Sequence, residues 1–183
     1  MLASASPQRR AILEQLGVAF EVVPAGIEEA TAGEPEAVAR DNAARKARAV
    51  AGEAGAGPGA VVLGVDTVVA LGERVLPKPA DAAQARRWLE TLSDRVHRVV
   101  GGLCAIDEGG EHSAVAVTEV AFRPLSAADL DWYLGTGEWR DRAGGYAIQG
   151  RGAALVAGIR GDYLNVVGLP VPALLGLLPD LLA

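Results

Sequence analysis

The stretch Ala60-Val61-Val62-Leu63-Gly64-Val65-Asp66-Thr67-Val68-Val69-Ala70-Leu71-Gly72 decides the fold of this 183-residue chain. It is apolar on both period-2 faces, the pattern of a central strand covered from both sides. Val62, Gly64, Asp66, Val68 and Ala70 share one face, and Val61, Leu63, Val65, Thr67 and Val69 share the other. Asp66 is the one charged residue in the run. An unpaired buried carboxylate costs several kcal/mol even after relaxation. Asp66 is therefore expected to be paired, bound to metal or catalytic, and Gly64 beside it leaves room for a ligand. The plainer alternative is an aspartate at the strand's exit, hydrogen-bonded to loop amides.

Upstream, a short strand is expected to end near Ala3. Ser6 caps a helix that has Pro7 at its first position and is stopped by Gly17. Residues 19–23 read as a strand, and a second helix runs from about Pro35 to Val50. The Gly/Ala-rich stretch 51–60 reads as a loop. Downstream, Asp81 caps a helix carrying Trp88, Leu89 and Leu92. Strands at 95–106 and 113–123 form a hairpin through the turn Asp107-Glu108-Gly109-Gly110. Ser126 and Asp129 make a capping box for a short helix ending near Leu134. Strands are expected at 145–149 and 153–160, then a closing helix after Pro172. Alternating helices and strands with a hairpin imply one α/β domain, a mixed twisted sheet with flanking helices.

The chain carries 17 Lys+Arg against 23 Asp+Glu, a net charge of −6. That balance argues against generic binding of nucleic acid or anionic membranes, so an anionic ligand needs a local basic cluster. One cysteine excludes an internal disulfide, and two histidines with that cysteine are too few for a typical structural zinc site. The amino terminus runs from apolar to basic, unlike a secretory signal, and the apolar stretch 163–179 is short and broken by prolines. A cytoplasmic protein is expected.

Three features point to phosphate chemistry. Arg9 and Arg10 occupy the first helix's opening turn, where acidic residues normally collect, so an anion is the natural guest there. Asp66 is the second. The third is a pair of lysines, Lys46 on the second helix and Lys78 in Pro77-Lys78-Pro79, whose prolines fix the backbone around it. Singly, each lysine reads as solvated surface; with the arginines and the aspartate they describe a polyphosphate site. Gln149, in the glycine-rich segment 142–152, has the paired donor and acceptor needed to read a base edge. His97 reads as a hydrogen-bonded core or edge histidine, and neither His112 nor Cys104 has a partner that suggests nucleophilic chemistry.

Several motifs, in order, resemble the Maf family. They are Leu2-Ala3-Ser4-x-Ser6-Pro7-x-Arg9, Gly64-x-Asp66-Thr67-Val68-Val69, Lys78-Pro79, Leu92-Ser93, the segment Gly137-Glu138-Trp139 to Ile148-Gln149-Gly150, and Val166-Val167-Gly168-Leu169-Pro170. The resemblance implies an α/β fold with two lobes around a cleft, similar to the inosine-triphosphatase fold. It also implies homodimer formation and a divalent cation, Mg or Mn. The activity implied is a cytoplasmic nucleoside triphosphate pyrophosphatase that cleaves between the α- and β-phosphates. Asp66 falls on the family's proton acceptor, and Ser6, Arg9, Lys46 and Lys78 on its phosphate-binding and catalytic positions. Glu29 falls on an acidic position assigned, with Asp66, to the metal. Thr67 and Gln149 resemble the branch acting on dTTP and UTP rather than the one acting on 7-methyl-GTP. Gln8 stands where that branch has arginine, at a position associated with base choice, which leaves modified nucleotides as an alternative. Arg142 stands where lysine is usual and Gly101 where threonine is usual. The rival from another class is a nucleotide-binding regulator of cell division without significant turnover.

Overall fold

The computed structural model describes residues 1–54 and 59–182. In chain order the elements are α1 (Pro7–Gln15), α2 (Pro35–Ala54), β1 (Val62–Leu71), β2 (Arg74–Val75), α3 (Ala82–Leu92), β3 (Val96–Asp107) and β4 (Gly110–Phe122). There follow α4 (Ala127–Thr136), two 3₁₀ turns (Ala143–Gly145 and Gly150–Leu155), β5 (Val156–Arg160), α5 (Tyr163–Val167) and α6 (Val171–Leu177). The five strands form one sheet in the order β2-β1-β3-β4-β5.

The two-sided apolar pattern of β1 is explained by what covers it. On one face Val62, Gly64, Asp66 and Val68 meet α2. The helix lies directly on the sheet because both partners are small. A Cβ added at Gly64 would stand 2.1 Å from the Ala43 carbonyl oxygen, and one added at Gly102 of β3 would stand 2.1 Å from that of Ala39. Ala39, Ala43 and Ala47, spaced by four along α2, are fully buried in this contact. On the other face Leu63 and Val65 join a core with Leu2, Ile12, Leu13, Leu103, Leu169 and Leu174. Val69 joins a second core with Leu76, Trp88, Leu89, Tyr133, Tyr146 and Leu155. Thr67 stands between them on the strand and is half-buried.

The expected caps at Asp81 and Ser126 and the hairpin turn hold, whereas Ser6 sits at the cap position of α1 without a capping hydrogen bond. Asp81 accepts a hydrogen bond from the Gln84 amide, and Ser126 with Asp129 forms the reciprocal box. The β3–β4 hairpin closes with Asp107 opposite Gly110. The α/β class stands, but the expected mixture of strand directions does not. Every pairing between the five strands is antiparallel. Parallel pairing is confined to isolated bridges of Leu2 with Val22 and with Leu63. The two expected amino-terminal strands are reduced to those bridges. The expected strand at 145–149 is absent because Gly144, Gly145 and Gly150 all take left-handed φ, near +70°, which no extended strand accommodates. The strand expected at 153–160 begins only at Val156, after the second 3₁₀ turn. Helix α2 continues to Ala54, past the expected end at Val50. Residues 55–58 of the expected loop lie outside the described residues. Among the described residues no helix is long and apolar enough to cross a membrane.

Candidate active site

Strand β1 has an interrupted edge. Leu63 is bridged to the amino terminus, with its N–H on the Met1 carbonyl and its C=O accepting from Ala3. Ala70 and Leu71 pair with β2. Between these ends β1 has no strand partner on this side among the described residues, and Asp66 and Thr67 lie in the gap.

Asp66 is 4% exposed. Its Oδ2 accepts from Asn42 Nδ2 at 3.0 Å and its Oδ1 from Lys46 Nζ at 2.6 Å. Asn42 and Lys46 are four residues apart on α2, so one helix face delivers both donors. Asn42 also exchanges two hydrogen bonds with the backbone of Ala30, at 2.8 and 2.9 Å. That clamp fixes the segment carrying Glu29. Glu29 in turn accepts from Lys46 at 2.5 Å and from Lys78 at 3.2 Å. Burial pushes the Glu29 carboxyl up, but hydrogen bonds and charge from Lys46, with a smaller share from Lys78, outweigh it and hold the group at about 2. Glu29, Lys46 and Asp66 thus form a chain of alternating charge, with one ammonium between two carboxylates.

Arg9 does not swing into solvent. Its Nε donates to the Gly168 carbonyl at 2.9 Å, Nη1 to Ser4 Oγ at 2.7 Å and Nη2 to Thr67 Oγ1 at 3.0 Å. Burial pushes its pKa down, opposed by the charges of Asp66 and Glu29. Arg10, one position on, lies exposed and pairs with Glu14. Ser6 occupies the cap position of α1 without capping it; its hydroxyl donates to Gln8 Oε1 at 3.2 Å. That bond occupies the amide's acceptor, so the Gln8 NH₂ group is left to donate.

Ser6, Gln8, Arg9, Glu29, Lys46, Asp66, Thr67 and Lys78 all line one cavity of about 510 Å³. A smaller one of about 130 Å³ shares Glu29, Asp66, Thr67 and Lys78 with it. Gln149 is placed apart. It is half-buried, directly before the second 3₁₀ turn, and lines neither cavity. Tyr146, three residues earlier, does line the larger one. Its ring is set by His97, whose Nε2 lies 2.8 Å from the phenol oxygen. Burial holds the His97 imidazole down at about 4, so it is neutral at physiological pH and structural, as its place in the strand implies.

Sequence reading gave no site role to Asn42, to Ser4 and Tyr146 of the quoted motifs, or to the segment Arg140–Arg142, all of them on or against the site. Asn42 carried a signal, as a polar residue four positions before Lys46 on an alanine-rich helix face. The other three reach the cavity only through tertiary packing. With them the larger cavity holds five cations (Arg9, Lys46, Lys78, Arg140, Arg142) against three carboxylates (Glu29, Asp66, Asp141). The balance is positive in a chain whose total is −6. Such a site attracts an anion of several charges.

Among the described residues no group of three or more His, Cys, Asp or Glu is placed to hold a metal ion. The carboxylates of Asp66 and Glu29, however, already flank one cation, the Lys46 ammonium. Magnesium sites commonly use one or two carboxylates and take the remaining ligands from water and substrate phosphates. The pair Asp66 and Glu29 fits that use.

Residues 1–181 match the family model described as Maf-like protein. A dTTP/UTP pyrophosphatase of Anaeromyxobacter dehalogenans is 51% identical over 176 residues, covering 93% of this chain and 88% of the relative. One from Deinococcus radiodurans is 46% identical over 179 residues, covering 97% and 90%. One from Thermococcus gammatolerans is 49% identical over 172 residues, covering 93% and 90%. With the motifs in order along nearly its whole length, the chain belongs to the Maf family.

Proposed function

We propose that this chain is a nucleoside triphosphate pyrophosphatase that hydrolyses dTTP and UTP to the nucleoside monophosphate and pyrophosphate. The observation that carries the reading is a buried carboxylate, Asp66, at an open strand edge facing a cavity lined with cations. The names of relatives at 46–51% identity supply the substrate.

Each chain residue has a task in this mechanism. Lys46 and Asn42 each occupy one oxygen of Asp66, and each oxygen keeps a further lone pair. Asp66 uses that capacity to accept the proton of the water attacking the α-phosphorus. Lys46, Lys78 and the amino-terminal turn with Ser6 and Arg9 hold the phosphates, providing the positioning and charge stabilisation that dominate phosphoryl transfer. Asp66 and Glu29 would hold the divalent cation, Mg or Mn, which when bound lowers the pKa of a coordinated water and offsets phosphate charge. Thr67 and Gln8 border the base, and the base-reading role expected of Gln149 is not part of this mechanism because Gln149 lines neither cavity. The reading takes the chain as one domain of two lobes. The core around Ile12 and Leu169 forms one, the core around Trp88 and Tyr133 the other, and Thr67 marks the cleft between them.

Incubation with single nucleotides and magnesium tests the proposal. Pyrophosphate and monophosphate from dTTP and UTP are expected; orthophosphate, or no product from any nucleotide, would contradict it. The second outcome would leave the binding-only regulator. Gln8 favours one modified reading, the same chemistry on a wider set of bases. A neutral NH₂ donor in place of an arginine contacts a carbonyl without bringing a charge. Running CTP and 7-methyl-GTP beside dTTP and UTP, on the wild type and on Gln8→Arg, separates the two. A narrower base preference in the variant supports a role for Gln8 in base choice, and an unchanged profile removes it.

A further inference from the structure

The segment from Arg140 to Tyr146 lines the larger cavity, yet its arginines have no part in the network around Asp66. Three features hold it in place. Gly144 takes φ +69° and lies so close to β1 that an added Cβ would stand 2.8 Å from Val69 Cγ1. The Gly144 N–H donates to the Leu76 carbonyl at 2.8 Å, two residues before Lys78. Tyr146 is bonded to His97 at the far end. Asp141, at φ +58°, takes a left-handed conformation uncommon for a residue with a side chain. Backbone of this kind persists where the surroundings over-determine it, and it concentrates at ligand-binding sites.

The cations of the cavity differ in how far they are committed. Arg9 spends all three nitrogens on protein oxygens. Lys46 lies between two carboxylates, and Lys78 pairs with Glu29. Arg140 is exposed and stacks over the Trp139 ring at 4.8 Å. Arg142 alone is half-buried with no ion-pair or hydrogen-bond partner for its side chain among the described residues; its carbonyl accepts from the Gly145 N–H. A partly desolvated guanidinium without a partner is costly, and its planar fork matches phosphate in a bidentate manner.

We propose that Arg142 is a substrate-binding residue that grips the pyrophosphate half of the triphosphate alongside Lys78. The assignment rests on the pyrophosphatase reading above and adds to it a contact with the leaving group. The hydrogen bond from Gly144 to Leu76 joins the segments that carry Arg142 and Lys78, and Ala143, next in sequence, lines both cavities. Charge builds on the leaving pyrophosphate as the α–β bond breaks, so a cation placed there acts more strongly in the transition state than on bound substrate.

Calorimetric binding of inorganic pyrophosphate and of UMP, each with magnesium, to wild type, Arg142→Gln and Arg142→Lys tests this without requiring turnover. The glutamine variant is expected to bind pyrophosphate at least about tenfold more weakly, the usual consequence of losing a charge-assisted contact. UMP binding should stay within about twofold, and the lysine variant should recover part of the loss because it keeps the charge without the fork. Unchanged pyrophosphate binding, or an equal loss for UMP, would overturn the assignment. If the glutamine variant does not fold, the lysine variant decides by the same ratio, with a few-fold selective loss for pyrophosphate expected. Absence of nucleotide hydrolysis by the wild type would instead count against the pyrophosphatase reading, so the two failures are distinguishable.

Discussion

Inside the sheet α2 gives each oxygen of Asp66 one donor, Lys46 at 2.6 Å and Asn42 at 3.0 Å. The same two bonds aim the carboxylate at the gap in the strand edge. Asp66→Asn keeps the shape and removes the base, so kcat is expected to fall by about 10²–10⁴, the usual contribution of a general base. Nucleotide binding, measured separately, should remain detectable; full activity would remove Asp66 from the mechanism. Glu29 gives a prediction about pH. Its carboxyl lies at about 2 in the folded chain against an ordinary 4.5. As pH falls, the unfolded state therefore takes up this proton first. The stabilising contribution is fully present above about pH 4.5 and is lost as pH falls toward 2. The stability gap between wild type and Glu29→Gln, read by denaturant unfolding, should be constant above pH 4.5 and shrink below it. A gap that persists unchanged to pH 3 would contradict the ion-pair chain.

The α2–β1 contact sets the position of the two helix donors, and it depends on absent side chains. Gly64 lies two residues before Asp66, and an added Cβ would meet the Ala43 carbonyl oxygen at 2.1 Å and the Ala47 nitrogen at 2.7 Å. Backbone cannot yield as a side chain does, so Gly64→Ala should cost at least about 1–3 kcal/mol, the range for overpacking. It should also lower activity by moving Lys46. Gly158 in β5 has open space around it, and Gly158→Ala serves as the matched control. Equal thermal stability of the two variants would contradict the close helix–sheet approach. At this scale the sequence was readable where the signal was local. The apolar run of β1, the Asp81 and Ser126 caps and the Asp107–Gly110 turn are written in adjacent residues. The amino-terminal pairing and the segment around Tyr146 were not, because bridges at Leu2 and left-handed glycines depend on what lies across from them. The site was legible in the same measure. Asp66 stood out by residue type against its apolar surroundings and Lys78 by its flanking prolines, Lys46 only in combination with them, whereas Asn42 looks like an ordinary surface polar residue until the fold places it.

Across the whole molecule, charge is distributed against the average. An acidic chain keeps a cavity in which cations outnumber carboxylates, and those cations come from the amino terminus, α2, the Lys78 segment and the Arg140–Arg142 segment. Two apolar cores meet β1 on either side of Thr67. The account stands on one chemical event in this cavity, water attacking the α-phosphorus with its proton passing to Asp66. Turnover of dTTP or UTP in H₂¹⁸O, with the products resolved by mass spectrometry, reads that event directly. The label should appear in the nucleoside monophosphate and not in pyrophosphate, and Asp66→Asn should form the labelled monophosphate about 10²–10⁴ times more slowly. Label in pyrophosphate or in orthophosphate would place the attack on another phosphorus and contradict the account.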